Sequence, residues 1–582
     1  MNTAANSTND LYESPVPEVK PQPVIETGTR FNNNSDSFEL IKGDAVIALL
    51  NNDSGFRQSW DLLFESCPWA TVFQSRAFVT AWYQVYHEEH CPLLIIAVEQ
   101  GQLKGLLPLA FLNTNEAEGP AEKQSGRITA AGHYEALYQT WLAAPSDGDA
   151  FIKKASTELL KQFPGYYLSL RFLPQGTPMK WITDDRQCRK RSIIQSHTCP
   201  LIHLKGTGSE KIFQHKKHFK YKLNRLKKLG EVRFETISNL QQFKNSLHEM
   251  AVLYDFRQSA LFNKSPFSED PAKKDFLQEL FRLQLLHVTE LKVDDNIIAA
   301  VVAVGGKDRV YLAGINCHSP THARSFSPGF LHFVLLSQQL AAEGYSYFDL
   351  TPGYDPYKEE LANEHENVYE LVISNRPSFR IKRRIKKWVH ARLVAAGKRP
   401  MTIELQWKRY GYLVKQHSPA SLIKRMFRVF HKKEKQKSFL LQAFENPSTK
   451  IPLAHDNIID LLAYKASKKT GLSKWDFMYD ASYRLERGQH CYTWMENGIL
   501  VCCAWVSYTD VLSPKKDNDP DADKKFEIHG LYCHSAGSGR LTGFIHAVID
   551  EAVNVEKKHF IITNEPMFCK QLEEIGKRER ET

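Results

Sequence analysis

The stretch RSFSPGFLHFVLLSQQLAAEGYSYFDLTPG, residues 324–353, decides the reading of this chain. A short polar turn, Arg324 to Ser327, runs into Pro328 and Gly329, and an apolar segment at helical spacing follows. Ser327 is placed to cap that helix, because a hydroxyl can accept from an otherwise unpaired amide. Pro328 suits the first helical position, where its missing donor costs nothing. Gly344 is placed to end the helix, and YSYFDL follows as a strand. With RVYLAGIN (309–316) as the preceding strand, the unit is strand, turn, helix, strand. Amides at the start of a helix attract anions. The spacing therefore predicts a phosphate-bearing ligand at residues 324–331.

Working outward, the 582 residues leave room for about three or four domains. A hydrophobic content of 42% and 33 Phe are enough for sizeable cores. The first forty residues are rich in Asn, Pro and Ser and poor in apolar runs, so 1–45 is expected to be a disordered tail. It lacks the basic-then-apolar order of a signal peptide. The longest apolar run, IIAAVVAV at 297–304, is far short of the roughly twenty residues a membrane span needs. Ten cysteines are scattered without CxxC or metal-ligand spacing. Reduced, mostly buried thiols, no metal and a cytoplasmic location are the expectation.

Periodicity outlines the elements. Trp60, Leu63 and Phe64 are in helical step, as are Phe78, Trp82 and Tyr86. PLLIIAVEQGQLKGLLPLAF is a hairpin turned at Gln100–Gln102. ALYQTWLA and YYLSLRFL look like strands, with a helix at 149–163 between them. A strongly basic helix is expected at 211–230, and further helices near 240–262 and 271–286. A hairpin about Asp294–Asn296 then leads to the phosphate-site unit.

Charge is concentrated. Arg376 to Lys437 holds 20 Lys and Arg against Glu404 and Glu434, a net of +18 in a chain of +10 overall, so the remainder is −8. Two amphipathic pieces lie inside. One carries Phe379, Ile381, Ile385, Trp388, Val389 and Leu393 at helical spacing; the other, IKRMFRVFHKKEK, carries Ile423, Met426, Phe427 and Phe430. Such helices suit an anionic membrane surface, at about 1 kcal/mol per basic residue near the headgroups. A helical connector with its apolar stripe packed on neighbouring domains fits the same pattern. DNA is not expected, because aromatic residues do not alternate with the charges as a stacking surface would require.

The phosphate-site turn resembles the (Gln/Arg)-x-x-Gly-x-(Gly/Ala) motif of the GNAT acyltransferase superfamily. Arg324, Ser327 and Gly329 stand at its key positions, with Ser327 replacing the usual Gly. The Ser-Pro-Gly turn is similar to one branch, the acetyltransferases associated with bacterial cellulose and exopolysaccharide biosynthesis. That branch is also matched by Phe348, Asp349, Gly353, Tyr357 and Lys358, and by FQSRAFVTAWYQVY (73–86) and GQLKGLLPLAF (101–111). The resemblance covers roughly residues 55–375. It implies a mixed α/β (α+β) chain of tandem GNAT-like folds. A degenerate N-terminal half (46–208) would precede the acyltransferase domain with the cofactor site (209–375), and the basic linker (376–437) would lead to a C-terminal GNAT-like unit (438–582). In that last unit, FEIHGLYCHSAGSGRLTGFIHAVIDEA (526–552) places His534, Gly537 and Gly539 at the motif positions, a candidate second cofactor site.

The resemblance further implies that Arg324, Ser327, Pro328, Gly329 and Phe330 bind acetyl-CoA or another acyl-CoA. It would set the thioester between the strands 309–316 and 345–350. Acyl transfer needs a polarised carbonyl, an activated acceptor and a proton for the leaving thiolate. Asp349 is the candidate to orient or deprotonate the acceptor, Tyr357 to protonate the thiolate, Lys358 to hold an anion, and Arg257 to bind the acceptor. Asp349 could equally cap the TPGYDP turn, Tyr357 serve as a packing aromatic, and Lys358 be a surface charge. The expected function is N- or O-acyl transfer to a small-molecule or saccharide acceptor, such as an amino-sugar or cell-envelope precursor. Two alternatives stay open. The tandem layout with the basic helix is similar to the peptidoglycan bridge-forming enzymes that use aminoacyl-tRNA, and a non-catalytic scaffold of a polysaccharide synthase would keep the fold for binding.

Overall fold

The computed structural model describes residues 36–112, 126–205, 216–353, 355–398, 400–416, 437–440, 451–466, 472–508, 525–554 and 560–563. Its centre is one thirteen-stranded mixed sheet. The first half of the chain supplies β1 (Ser37–Lys42), β2 (His90–Glu99), β3 (Gln102–Leu112), β4 (Arg127–Ala130), β5 (Leu142–Ala143), β6 (Tyr167–Leu173) and β7 (Ser192–His203). The second supplies β8 (Val232–Thr236), β9 (Leu286–Val293), β10 (Asn296–Gly305), β11 (Arg309–His318), β12 (Tyr347–Asp349) and β13 (Glu364–Ser374). The β2–β3 turn uses positive φ at Gln100 and Gly101, 51° and 72°, the backbone whose twist matches that of the flanking strands. β2 is buried along nearly its whole length. Its unbroken apolar run, rather than an alternation, fits a strand covered on both faces.

The strand order is β1-β2-β3-β4-β6-β13-β7-β12-β11-β10-β9-β8, with β5 beside β3. The two halves share a plan. β4 and β6 are parallel over three residue pairs, and so are β11 and β12. Each pair flanks one helix, Gly148–Gln162 or Pro328–Ala342. The last strands are exchanged: β13 lies beside β6, β7 lies beside β12, and the two pair with each other over ten positions, from Glu364↔Leu201 to Ile373↔Ser192. The boundary expected at 208/209 therefore divides the chain but not the sheet.

After Tyr311 and Asp349, β11 and β12 part. A bulge in β11 drives the divergence. Val302 pairs Ile315 while Val304 pairs Tyr311, so extra residues are accommodated around Gly314. Gly314 has φ 125°, and a Cβ there would lie 2.6 Å from the Val302 carbonyl oxygen. The bent strand leaves a wedge in front of the Pro328 helix.

A six-stranded sheet repeats the plan: β14 (Lys437–Leu440), β15 (Ala454–His455), β16 (His490–Glu496), β17 (Ile499–Tyr508), β18 (Lys525–Cys533) and β19 (Phe560–Thr563). β18 and β19 are parallel around the helix Leu541–Asn554. β14 lies antiparallel on the outer side of β19. The unit docks on the central body through the helix Lys474–Leu485, which packs on Leu240–Phe262. Phe256 and Ala260 join Leu461, Tyr464, Phe477 and Met478 in one core, and Trp475 donates to the Ala260 carbonyl at 3.1 Å.

Several expectations shift. Ser37–Lys42 pairs with β2, so the order begins inside the segment read as a 1–45 tail; Phe38 and Leu40 pack on the core there. Residues 1–35 lie outside the described residues. ALYQTWLA forms a strand only at Leu142–Ala143. The preceding residues are a buried connection whose carbonyls are taken by side chains, Gln74 on Tyr138 at 2.8 Å and Trp69 on Trp141 at 2.7 Å. The basic helix spans Lys216–Leu226. Of the linker, Pro377–Ala395 and Pro400–Gln416 are helices, while 423–435 lies outside the described residues. The nine described cysteines are buried, save half-buried Cys533. Among the described residues, no helix is long and apolar enough to cross a membrane.

Candidate functional site

The wedge beside β11 is a cleft of about 250 Å³ lined by Asn316 and His318 from β11, Ser327 to Phe330 from the helix start, Phe333, and Arg257 and Tyr357 from flanking helices. Asn316 and His318 are two residues apart on one strand, so both face the same side of the sheet. The bulge at Gly314 aims that side at the helix start.

Ser327 does not cap in the expected way. It adopts the left-handed conformation, φ 50°, between the short helix Pro320–Phe326 and the Pro328 helix. Its side chain makes no cap hydrogen bond, and its hydroxyl accepts from the Lys222 ammonium at 2.8 Å. Pro328 starts the helix and Gly344, with φ 91°, follows its end. A Cβ on Gly329 would lie 3.6 Å from the His318 ring, an ordinary contact. The Phe330 ring meets His218 of the basic helix, centroids 5.9 Å apart. Arg324 faces away from the cleft and donates to the Arg487 carbonyl of the C-terminal unit at 2.7 Å. The cation beside the motif is thus Lys222, whose ammonium burial pushes down.

Tyr357 stacks on Phe333 at 5.7 Å and 18°. Burial raises its hydroxyl above the usual phenol range, partly opposed by Arg257. Arg257 donates to the Asn316 carbonyl at 2.7 Å. His318 is pushed down to about 4 by burial, with Arg257 adding to the effect. The imidazole is therefore neutral near pH 7 and suited to hydrogen bonding, while the burial and the Arg257 charge that lower it oppose its taking up a proton.

Two expected residues stand elsewhere. Asp349 is fully buried on the sheet. It accepts from the Tyr138 hydroxyl at 2.6 Å, the Cys199 thiol at 3.2 Å and the Thr351 amide at 2.8 Å. Arg309, 3.7 Å away, also forms a bidentate pair with Glu366 at 2.8 Å. Tyr138 and Cys199 come from the first half, so this carboxyl ties the exchanged strands together and does not reach the cleft. Burial holds its pKa above the ordinary carboxyl range. Lys358 is likewise buried and braces the turn before its own helix, donating to the Thr351 hydroxyl at 2.7 Å. It is no surface charge, but it does not line the cleft.

Asn316, His318 and Lys222 were not singled out in the sequence. The signal for the first two was the alternation at the end of RVYLAGIN, which continues to His318. Lys222 lies in the basic helix expected at 211–230, but no local pattern places that helix beside Ser327, more than a hundred residues away.

The other two units lack this arrangement. In the first half, Trp69 and Pro178 press on the start of the Gly148 helix, and a Cβ on Gly148 would lie 2.8 and 2.7 Å from them. In the C-terminal unit, Gly537 is packed against Val501 and the thiols of Cys502 and Cys533, and His534 donates its amide to the Val501 carbonyl at 2.7 Å. Gly539 and Arg540 instead line a cleft of about 530 Å³, where Arg540 pairs with Glu496 and covers Trp494. Among the described residues, one His–Asp–His group, His455, Asp456 and His490, has metal-compatible spacing; Asp456 engages His490 at 2.8 Å and the Cys491 amide at 2.7 Å.

A GNAT-type acyltransferase fold accounts for the repeated strand–helix–strand plan. Residues 214–359 match the family model described as an acetyltransferase (GNAT) domain, a span that contains every residue lining the cleft except Leu361. No curated protein is significantly similar to the chain. Among solved structures, the chain is similar to FemX at 10% identity over 56% of this chain and 98% of that one, TM-score 0.39. It is similar to L-PGS from Bacillus licheniformis at 13% over 56% and 93%, TM-score 0.35. A tandem GNAT protein from the clavulanic acid biosynthesis pathway matches at 11% over 58% and 98%, TM-score 0.33. All three likenesses are distant.

Proposed function

We propose that the chain is an acyl-CoA-dependent acyltransferase whose acceptor is a sugar, amino-sugar or cell-envelope precursor of the exopolysaccharide type. The observation that carries this reading is the meeting of Ser327–Phe330, His318 and Tyr357 in one cleft. Its roughly 250 Å³ is below the range of about 300–1,000 Å³ usual for whole drug-sized ligands. The volume suits the acyl-pantetheine arm, with the nucleotide outside against the basic helix. The pyrophosphate would meet the helix start and Lys222.

In the transfer step, the acceptor nitrogen or oxygen attacks the thioester carbonyl carbon and the C–S bond breaks. Tyr357, held protonated by burial, gives its proton to the thiolate. Water carries off the proton released by the acceptor, neutral His318 hydrogen-bonds the acceptor, and Arg257 fixes Asn316 in the wall. Calorimetry with coenzyme A and acetyl-CoA tests the reading. One-to-one binding is expected, and its absence would overturn it.

The basic helix Lys216–Leu226 beside Ser327 favours a second reading, aminoacyl transfer from tRNA. Stabilisation by tRNA without stabilisation by coenzyme A would select it.

We also place the protein at an anionic membrane surface. On the linker helices, Ile381, Ile385, Trp388 and Trp407 are 57–74% exposed among basic residues, the pattern of an interfacial helix. Co-sedimentation with acidic vesicles at low salt is expected. Replacing Ile385 and Trp388 with Gln should abolish it, and unchanged sedimentation would refute the placement.

A further inference from the structure

A second cleft of about 250 Å³ lies in the first half, walled by β4, β6, β7, β13 and the linker helix, and shares no residue with the cofactor cleft. Its charge is one-sided. Arg127, Arg171 and Arg383 face it, against Glu370 alone. Glu135, near Arg171, is already paired with Lys273. Glu370 is 3.5 Å from Arg383 and 3.9 Å from His197, and it acts on Arg171 only at longer range.

The walls also hold an unused donor. The Arg127 Nε is buried without a hydrogen-bond partner. Buried donors without partners are rare and call for an explanation. Burial pushes the Arg171 guanidinium down, partly opposed by Tyr134, Glu370 and Glu135.

The backbone is shaped for the cleft. Tyr369 pairs Leu173 and Leu371 pairs Leu170, so Arg171 and Phe172 together oppose Glu370 in a bulge. Phe172 has φ 50° there, a conformation that side chains with a Cβ rarely adopt. Bulges of this kind re-aim side chains near sites. At the mouth, the Tyr134 ring is 63% exposed and lies 5.7 Å from both Arg127 and Arg171.

We propose that this cleft binds the phosphate of a phosphate monoester, with the ester's organic part against the Tyr134 ring. Three arginines and one carboxylate leave a surplus of two positive charges, which matches a phosphate monoester of about −1.5 to −2 at neutral pH. Guanidinium forks suit phosphate oxygens, and the Arg127 Nε would gain an acceptor.

Titration of the full chain with phenyl phosphate and inorganic phosphate, at constant ionic strength, tests the site. Saturable one-to-one binding is expected. Arg127→Gln and Arg171→Gln should each weaken it more than about tenfold, the scale of a lost charge-assisted hydrogen bond. Tyr134→Ala, at an exposed position that does not threaten folding, should weaken phenyl phosphate while leaving inorganic phosphate within about twofold. Coenzyme A binding should be unchanged in all three, which separates failure here from failure of the acyl-CoA reading. No saturable binding by the wild type overturns the proposal. So does an equal loss in Lys387→Gln, an exposed charge outside the cleft, because that marks unspecific attraction. Vesicles containing phosphatidic acid assign the source. If Arg127→Gln sediments less than wild type, the phosphate is a lipid headgroup; if it sediments equally while losing phenyl phosphate, the ligand is soluble.

Discussion

The starts of the helices Gly148–Gln162 and Pro328–Ala342 occupy equivalent places in one sheet, yet only the second opens on the wedge between its strands; the first borders an outer cleft of about 310 Å³ beside β1. Both follow a strand and precede a parallel partner held by three residue pairs. At the first, Trp69 and Pro178 lie where a ligand would enter, and Trp141 donates to the Gly148 carbonyl at 3.1 Å. Asp147 stands just before the helix, setting a negative charge where an anion would bind. At the second, Ser327 turns through the left-handed region, Gly329 has only ordinary neighbours, and Lys222 supplies positive charge. The strand pattern makes a wedge in each half. What fills the wedge decides between a core and a site.

The largest expected effect is on the open wedge. Gly329→Asp has room to fold, since its Cβ meets His318 at 3.6 Å, but it brings a carboxylate to the amides meant for a phosphate. Coenzyme A binding should fall below detection in calorimetry. Near wild-type affinity in the folded variant would mean the two helix starts do not differ in the way described.

Asp349→Ala should act on the seam between the halves and not on the cleft. Removing one member of a buried charged cluster costs about 3–5 kcal/mol, because Arg309, Tyr138 and Cys199 are left facing a void. Urea unfolding should show that loss, with coenzyme A affinity retained. The pH dependence has a definite sign. The folded carboxyl titrates above its unfolded value, so its contribution is present below that value and fades as pH rises through the folded one. The gap between wild type and variant should narrow with rising pH. A gap that widens would place Asp349 among groups stabilised as anions.

The same residue shows how far the sequence was legible. The helix at 328–342 and the hairpins follow from local rules, and these held within a few residues. Asp349 was assigned to the site because it ends a strand beside that motif. Strand alternation points the other way: Phe348 and Leu350 pack with Phe333 and Leu340, so the residue between them faces the opposite side of the sheet. What it meets there, Tyr138 and Cys199, depends on the exchange of β7 and β13. That exchange pairs segments far apart in the chain, such as Asp349 with Leu201 and Glu364 with Leu201, and no periodicity encodes it. The position of Lys222 beside Ser327 is also a long-range contact, whereas Tyr357 needed only a neighbouring helix to reach Phe333.

Tyr357→Phe should have a smaller effect, confined to turnover. It keeps the stacking on Phe333 and removes only the proton donor. General-acid help is worth about 10²–10⁴, so acetyl transfer measured by thiol release should slow more than tenfold with coenzyme A affinity unchanged. Equal rates would leave the thiolate to be protonated by water and make the open wedge a binding site without this acid.

The smallest effect is expected at the closed wedge, and it separates the two reasons offered for its closure. Asp147→Asn removes the negative charge before the Gly148 helix and leaves Trp69, Trp141 and Pro178 in place. Loss of an acid beside a helix start costs only about 0.3–1 kcal/mol, and here the carboxylate makes no cap hydrogen bond to the helix. If bulk closes the wedge, coenzyme A should still bind one to one, at the Pro328 helix alone. A second binding event in calorimetry would show that charge had kept the first half empty. The aromatic plug would then be a wall that moves aside for an anion, and the contrast between the halves would rest on one carboxylate.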